Sequence, residues 1–550
     1  MKVLKWVAGL AAVAAMALAL AWVFRFDLII LAARLQQPKV EPYRQVDWQR
    51  GPMTAASSER PPNIVFILVD DLGFNDITLN GGGIAGGAVP TPNIDAIARQ
   101  GVTFANGYAG NATCAPSRAA IMTGRYATRF GFEFTPTPVA FSRMVGTFRS
   151  PGSIREARFW ADKAKDAPPL DDEAAPASEV TIAEMLRERG YHTVHLGKWH
   201  LGGAKGTRPE QQGFDESLGF IGGAAMFLPK NDPNVVNSKQ DFDGIDRFLW
   251  GVLNNGVQYN GGPVFAPNAY MTDYLTNQAI DVIGANRNRP FFLYLAYNAP
   301  HTPLQATKAD YDALSGIKDH RLRVYGAMVR NLDRNIGRVM AELKAQGLDD
   351  NTLVIFTSDN GGANYIGLPE INRPYRGWKA TFFEGGVHVP FFMRWPQKLP
   401  AGSRYVSPVG HVDIFATAAG AGGAARPADR AMDGVDLVPF VTGKASGEPH
   451  TSLFWRSGGY RTVLAGGWKL QVLDEPKKTW LFDLATDPTE QRNLASTRPD
   501  KVRELSAIMA AQDAQMSPSL WPSLLQGPIP IDHPLGAPDK PGDEYILWDN

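Results

Sequence analysis

The 550 residues carry 55 Lys plus Arg against 55 Asp plus Glu, so no net charge recruits nucleic acid or coats the surface for a polyanion. A single cysteine excludes an intramolecular disulfide and a cysteine-rich zinc site, while 44% hydrophobic residues suffice for a sizeable core. Any anion this protein handles must therefore meet a local pocket.

The first element lies outside the globular fold. Lys2 and Lys5 precede an uncharged run from Trp6 to Phe24, close to the roughly 20 residues that cross a bilayer. Residues 1–35 read as a signal peptide or membrane anchor, exported with the positive end left inside. The absence of a nearby cysteine excludes a lipoprotein anchor. Residues 36–62, rich in Pro, Gln and Ser, read as a linker.

NIVFILVD (63–70) is a continuous apolar run ending in carboxylates, which predicts a strand buried on both faces. YHTVHLG (191–197), PFFLYLAY (290–297) and TLVIFTSDN (352–360) repeat the pattern. Helical segments alternate with these strands. Thr181 and Glu184 make a capping box for a helix that stops at Gly190, and Leu332, Ile336, Val339, Met340 and Leu343 form a helical stripe after Met328. The alternation predicts an α/β fold, a large and mostly parallel sheet flanked by helices, over residues 63–440. Residues 132–178 lack a clear period and read as a long loop near the cysteine. Beyond about 440, SLFWR, YRTVLAG, WKLQVL and TWLFDL predict a small antiparallel sheet, followed by a helix near 499–516 and a Pro-rich tail. Residues 441–550 are thus expected to form a small C-terminal α+β unit.

In open α/β sheets, ligands bind at the carboxyl ends of the strands. Those ends carry Asp70-Asp71, Lys198 and His200, Asn298 and His301, and Asp359-Asn360. Asp70, Asp71, Asp359 and Asn360 are all oxygen donors, a set that selects a hard cation, calcium or magnesium. Arg118, Lys198, His200, His301 and Lys379 supply the positive charge of an anion site. His192, His195, His388 and His411 are expected to be structural. In TCAPSRAAIMTGR (113–125), Thr113 suits an N-cap, Pro116 a first turn and Gly124 a stop. Cys114 then sits at a helix N-terminus, where a thiol is acidified and reactive. The alternative is a small buried hydrophobe.

These stretches resemble the type I sulfatases, which share the alkaline-phosphatase-like fold. CAPSRAAIMTGR is similar to their first signature and GYHTVHLGKWHL (190–201) to their second. The resemblance spans roughly residues 62–520 and includes VDDLG, TPNIDAIARQG, GFDESLG, APHTPL, TSDNGG and EGGVHVP. It looks strongest toward arylsulfatases of the N-acetylgalactosamine-4-sulfatase kind. The resemblance implies that a formylglycine-generating enzyme oxidises Cys114 to Cα-formylglycine, with Pro116 and Arg118 in the recognition motif. It implies one calcium ion held by Asp70, Asp71, Asp359, Asn360 and the modified Cys114. Arg118 then steadies the nucleophile, Lys198 and Lys379 contact sulfate oxygens, His301 protonates the leaving oxygen, and His200 assists release. The expected activity is hydrolysis of an aryl or carbohydrate sulfate ester. A phosphonate monoester or phosphodiester hydrolase is the enzymatic alternative, and a catalytically silent sulfated-glycan-binding protein a further one. His388 stands in EGGVHVP where many relatives have arginine. Export without disulfides suits a bacterial periplasm, either free or tethered by residues 6–24.

Overall fold

The computed structural model describes residues 2–54 and 60–550. Among them a nine-stranded mixed sheet forms the spine, in the spatial order Ser403–Tyr405, Val102–Phe104, Phe391–Arg394, Thr352–Ser358, Asn63–Val69, Phe291–Ala296, His192–Lys198, Glu216–Phe220 and Gln258–Tyr259. The five strands from Thr352–Ser358 to Glu216–Phe220 are parallel. Every residue of Asn63–Val69 is buried, as its unbroken apolar run requires. Alternate side chains serve opposite faces: Val65, Ile67 and Val69 join one core, while Ile64, Phe66 and Leu68 join the other.

Helices Met271–Asn286 and His320–Ala345 cover the first face through Leu275, Val282, Leu332 and Ile336. Helices Cys114–Thr123, Ile182–Glu188 and Asp413–Gly422 cover the second through Ile121, Leu186 and Phe415. The capping box forms: Thr181 Oγ1 accepts from the Glu184 N–H at 3.1 Å, and Glu184 Oε2 accepts from the Thr181 N–H at 2.8 Å. The long helix starts eight residues before Met328, at His320, because the Asp319 carboxylate caps it by accepting from the Leu322 N–H at 2.8 Å.

Strands Ser452–Ser457, Tyr460–Ala465, Trp468–Leu473 and Lys478–Asp483 form the antiparallel C-terminal sheet. Leu505 and Met509 of helix Pro499–Asp513 pack on Phe454, Val463 and Leu470. The other side of the same sheet, through Trp455, Tyr460 and Trp480, joins the main core.

Three expectations are corrected. Residues 132–178 are not one long loop: they hold helix Val139–Thr147 and strand Arg158–Phe159. That strand pairs with Leu525–Pro530, which pairs in turn with Tyr545–Asp549, so the Pro-rich tail contributes two strands to a sheet. Prolines 528 and 530 are accommodated in a short three-stranded sheet rather than excluded from strand. Of the 36–62 linker, the described part is packed down: Val46 and Trp48 are buried, and Trp48 Nε1 donates to Gln278 Oε1 at 3.0 Å. A stretch poor in periodicity still folds when single large side chains find sites on a finished surface.

Candidate active site

Parallel strands deliver their carboxyl ends to one edge, and that edge collects the charge. Val69 lies opposite Ser358, so Asp70-Asp71 and Asp359-Asn360 leave the sheet side by side. Ala296 pairs with both Leu68 and Gly197, which brings Lys198 beside the first pair. Lys198 Nζ donates to Asp70 Oδ1 at 3.0 Å and Oδ2 at 2.8 Å. Arg118, fully buried, places Nε and Nη2 at 3.0 and 2.9 Å from Asp359 Oδ2. Its Nη1 donates to the Lys198 carbonyl at 3.1 Å, tying the helix to a second strand.

Helix Cys114–Thr123 is buried along its whole length and stops at Gly124, whose φ of 67° is left-handed. His411 bridges it to the sheet, with Nδ1 at 3.1 Å from Ser117 Oγ and Nε2 at 3.0 Å from Thr357 Oγ1. Thr113 occupies the N-cap position with extended backbone, but its hydroxyl turns to Asn111 Oδ1 at 3.5 Å instead of capping a helix N–H.

Cys114 is 2% exposed and lies among charged side chains. Its Sγ lies 3.5 Å from Asp70 Oδ1, 3.9 Å from Asp71 Oδ1 and 3.0 Å from Lys379 Nζ. Lys379 reaches in from a loop whose next residue, Ala380, has φ 69° and donates its N–H to the Ala112 carbonyl at 2.7 Å. Lys379 Nζ also meets Asp71 Oδ1 at 2.8 Å and His301 Nε2 at 3.2 Å. Asp71 and His200 share the left-handed backbone, each at φ 63°. Three of the described non-glycine residues with positive φ thus sit at one site, where strained backbone concentrates when geometry is over-determined by packing.

The charges act on one another strongly because water is excluded. Burial, then repulsion from Asp359, pushes the Asp70 carboxyl well above its usual range, against the pull of Lys198. Burial acts the same way on Asp359, but Arg118, Lys198 and Lys379 outweigh it and hold that carboxyl below its usual range. Asp71 is likewise lowered, Lys379 and His301 overcoming burial. His200 is pushed well below its ordinary value by burial and by the Lys198 and Arg118 charges, so it stays neutral.

The donor set fits a divalent cation. Asn360 Nδ2 donates to Asp71 Oδ1 at 2.7 Å and to the Gly361 carbonyl at 2.9 Å, which orients the amide. Its Oδ1 is buried and has no hydrogen-bond partner among the described residues. An orphaned buried acceptor is costly unless a cation or donor takes it. Ligand atoms of Asp70, Asp71, Cys114 and His301 lie within 4.8 Å of one another. Three buried carboxylates with a buried, unsatisfied amide oxygen make an oxygen-rich site for a hard ion.

The Sulfatase family model matches residues 62–424. The chain belongs to the sulfatase family. Mouse N-acetylgalactosamine-6-sulfatase is 33% identical to it over 455 residues, covering 80% of this sulfatase and 78% of the mouse protein. Mouse steryl-sulfatase is 30% identical over 591 residues, covering 90% and 86% of the two chains. The crystal structure of Ps i-CgsB in complex with k-i-k-neocarrahexaose aligns with a TM-score of 0.68 at 29% identity, covering 84% of this sulfatase and 95% of that chain. The sulfatase is an enzyme of sulfate ester hydrolysis on the alkaline-phosphatase-like fold. The two mouse relatives are a 6-sulfatase and a steryl-sulfatase, so they do not single out the 4-sulfatase kind.

Cys114, Arg118, Lys198, His301, Lys379, Asp70, Asp71, Asp359 and Asn360 form one contiguous network. His200 lies at its margin, buried, with Nδ1 lacking a partner among the described residues. His192, His195 and His388 are engaged elsewhere, with Glu216, Ser217 and Glu384. Sequence reasoning missed Tyr365, whose hydroxyl donates to Asp71 Oδ2 at 3.0 Å and accepts from Lys379 Nζ at 3.3 Å. Its one signal is position, three residues after Gly361-Gly362 in the loop that follows Asp359-Asn360.

Proposed function

We propose that this sulfatase is an exported enzyme that releases sulfate from an aryl or carbohydrate sulfate ester, using residue 114 as the nucleophile after its oxidation to formylglycine. The observation that carries the reading is the placement of Cys114 Sγ within 3.0 Å of Lys379 Nζ and 3.5 Å of Asp70 Oδ1, at the mouth of a buried helix. The hydrated aldehyde supplies a second hydroxyl, which a serine or thiol lacks, for expelling sulfate. Asp70, Asp71, Asp359 and Asn360 would hold calcium, with magnesium chemically admissible, and the ion supplies positive charge against the sulfate oxygens.

The remaining work falls to the chain's own side chains. Lys198 and Lys379 offer ammonium groups to the anionic ester, preorganised by Asp70 and Asp71. Arg118 is pinned by Asp359 and fixes the helix that carries residue 114. His301 donates Nδ1–H to the Thr302 carbonyl at 2.5 Å, leaving Nε2 to face the site and carry a proton to the leaving oxygen. His200, buried at the margin of the network, assists release. The N-terminal apolar helix supports export to a bacterial periplasm, with residues 6–24 retained as a tether.

Co-expression with a formylglycine-generating enzyme tests the assignment. Intact mass should show residue 114 converted, and the product should release sulfate from p-nitrophenyl sulfate and from members of a sulfated-saccharide panel. An unconverted thiol in a fully active enzyme contradicts it. A phosphonate monoester rate far above every sulfate rate transfers the assignment to phosphonate hydrolysis.

A further inference from the structure

Helix Arg25–Leu35 is apolar on two opposite faces. Phe26, Ile29, Ile30 and Ala33, spaced by three and four, pack against Phe141, Met144, Phe248, Val252 and Leu525. Ile30 lies so close to Gly251 that a Cβ there would stand 2.4 Å from its Cγ2. Asp27 pairs with Arg247 at 3.0 Å on the flank. This helix is therefore part of the folded body. The second stripe, Phe24, Leu28, Leu31 and Leu35, has the same spacing and points away from the body, with exposures of 51, 49, 52 and 78%. At 3.6 residues per turn the two stripes lie about 180° apart. A helix with apolar stripes on two opposite faces belongs between two apolar surroundings, and the body supplies only one.

What covers the other side follows from the preceding segment. Leu4–Val23 is a 20-residue helix of mean hydropathy 2.1 with none of it buried, long enough to cross a bilayer. It ends where Phe24 leaves helical geometry (φ −94°, ψ 15°) and the Arg25 guanidinium takes up the Trp22 carbonyl at 2.9 Å. Trp22, Phe24 and Arg25 are the residue types that mark a membrane boundary. Elsewhere on the described surface, large exposed apolar side chains such as Ile154, Val406 and Leu520 stand scattered along the chain.

We infer that Arg25–Leu35 is an interfacial helix that seats the sulfatase on the membrane. The boundary between headgroups and acyl chains covers Phe24, Leu28, Leu31 and Leu35, while the catalytic body covers the opposite stripe. This rests on the export reading with residues 6–24 retained, and adds to it one fixed orientation of the body on the membrane. Removal of the chain through residue 35 would uncover Phe141, Met144 and Phe248.

The test uses the full chain with Cys114→Ser, so that each introduced cysteine is the sole thiol. Leu28→Cys, Leu31→Cys, Leu35→Cys and, as a control on the body, Val406→Cys are labelled with bimane in vesicles of phosphatidylethanolamine and phosphatidylglycerol. Labels at 28, 31 and 35 should lose most of their emission to nitroxide-bearing lipids and resist aqueous iodide, and the label at 406 should do the reverse. Iodide access at all three positions overturns the seat. Disulfide crosslinking between copies through 31 and 35 overturns it in favour of a second copy, and an intact mass that begins after Arg25 overturns the retained anchor. Leu35, the most exposed, keeps the test valid should a more central variant fail to fold. No arm reads activity, so failure here and failure of the sulfatase mechanism are separate results.

Discussion

His301 shows how far one residue's surroundings define its task. The Thr302 carbonyl holds the Nδ1 proton, and Nε2 faces Asp71 at 3.5 Å and Lys379 at 3.2 Å. Burial lowers its pKa, and the Asp70 and Asp71 carboxylates only partly restore it. In the proposed role it protonates a poor leaving group. His301→Ala should therefore reduce kcat/KM on a sugar sulfate by about 10²–10⁴. Hydrolysis of p-nitrophenyl sulfate, whose phenolate departs unprotonated, should fall far less; equal losses on both substrates would remove His301 from this role. Asn360 invites a second measurement, because its buried Oδ1 has no hydrogen-bond partner among the described residues. Calcium should raise the Tm of the wild type and a chelator should reverse the rise. Asn360→Ala should lose most of that response, read by differential scanning fluorimetry across a calcium titration.

At the scale of elements, the active edge depends on how closely strands approach. Gly197 sits one residue before Lys198 with φ 106°, and a Cβ there would stand 2.0 Å from the Ala296 carbonyl oxygen. That oxygen is backbone and cannot step aside without breaking the parallel pairing. Gly197→Ala should push Lys198 off Asp70 and lower both Tm and kcat/KM, whereas the nearby exposed variant Lys205→Ala should leave both unchanged. The strand itself was legible in YHTVHLG from Thr193, Val194 and Leu196 between two glycines, although His192 and His195 interrupt the apolar run. The glycine's reason was not legible: its neighbour in space is 99 residues away in sequence. Helix Cys114–Thr123 was similarly readable from Pro116 and Gly124, whereas its clamp by His411 was not.

Across the whole molecule, the segments that looked like connectors close the fold. Thr135 and Thr137 lie against the C-terminal Asn550 side chain, which accepts from the Thr135 N–H at 2.8 Å. Glu173 joins this corner by accepting from the Thr137 N–H at 2.9 Å. Burial pushes its carboxyl from the ordinary 4.5 up to about 7, the Thr137 N–H opposing. The folded form therefore keeps a proton that the unfolded chain has already lost. The associated stability is fully present below about pH 4.5 and is lost as pH rises toward 7, on the order of 3 kcal/mol in total. Glu173→Gln, which keeps the acceptor and cannot ionise, should flatten the dependence of Tm on pH between 5 and 7. An unchanged slope would show that Glu173 ionises freely in the folded protein.

Asp70, Asp71, Lys198, Asp359 and Asn360 could be named from the chain alone because parallel strands present their carboxyl ends together. A polar residue that closes an apolar run is committed to that edge before any helix packs. The same logic revealed the two-sided burial of the central strands and the cap of helix Ile182–Glu188, which are local matters of pattern and spacing. Tertiary structure alone decided that Tyr365 reaches Asp71 across 294 residues, that His411 clamps the nucleophile helix to Thr357, and that residues 36–54 and the proline-rich tail lie down on the body. Each of those depends on a meeting between positions far apart along the chain, through a side chain or through strand pairing. Sequence periodicity carries no record of such a meeting, because a single contact imposes no repeat.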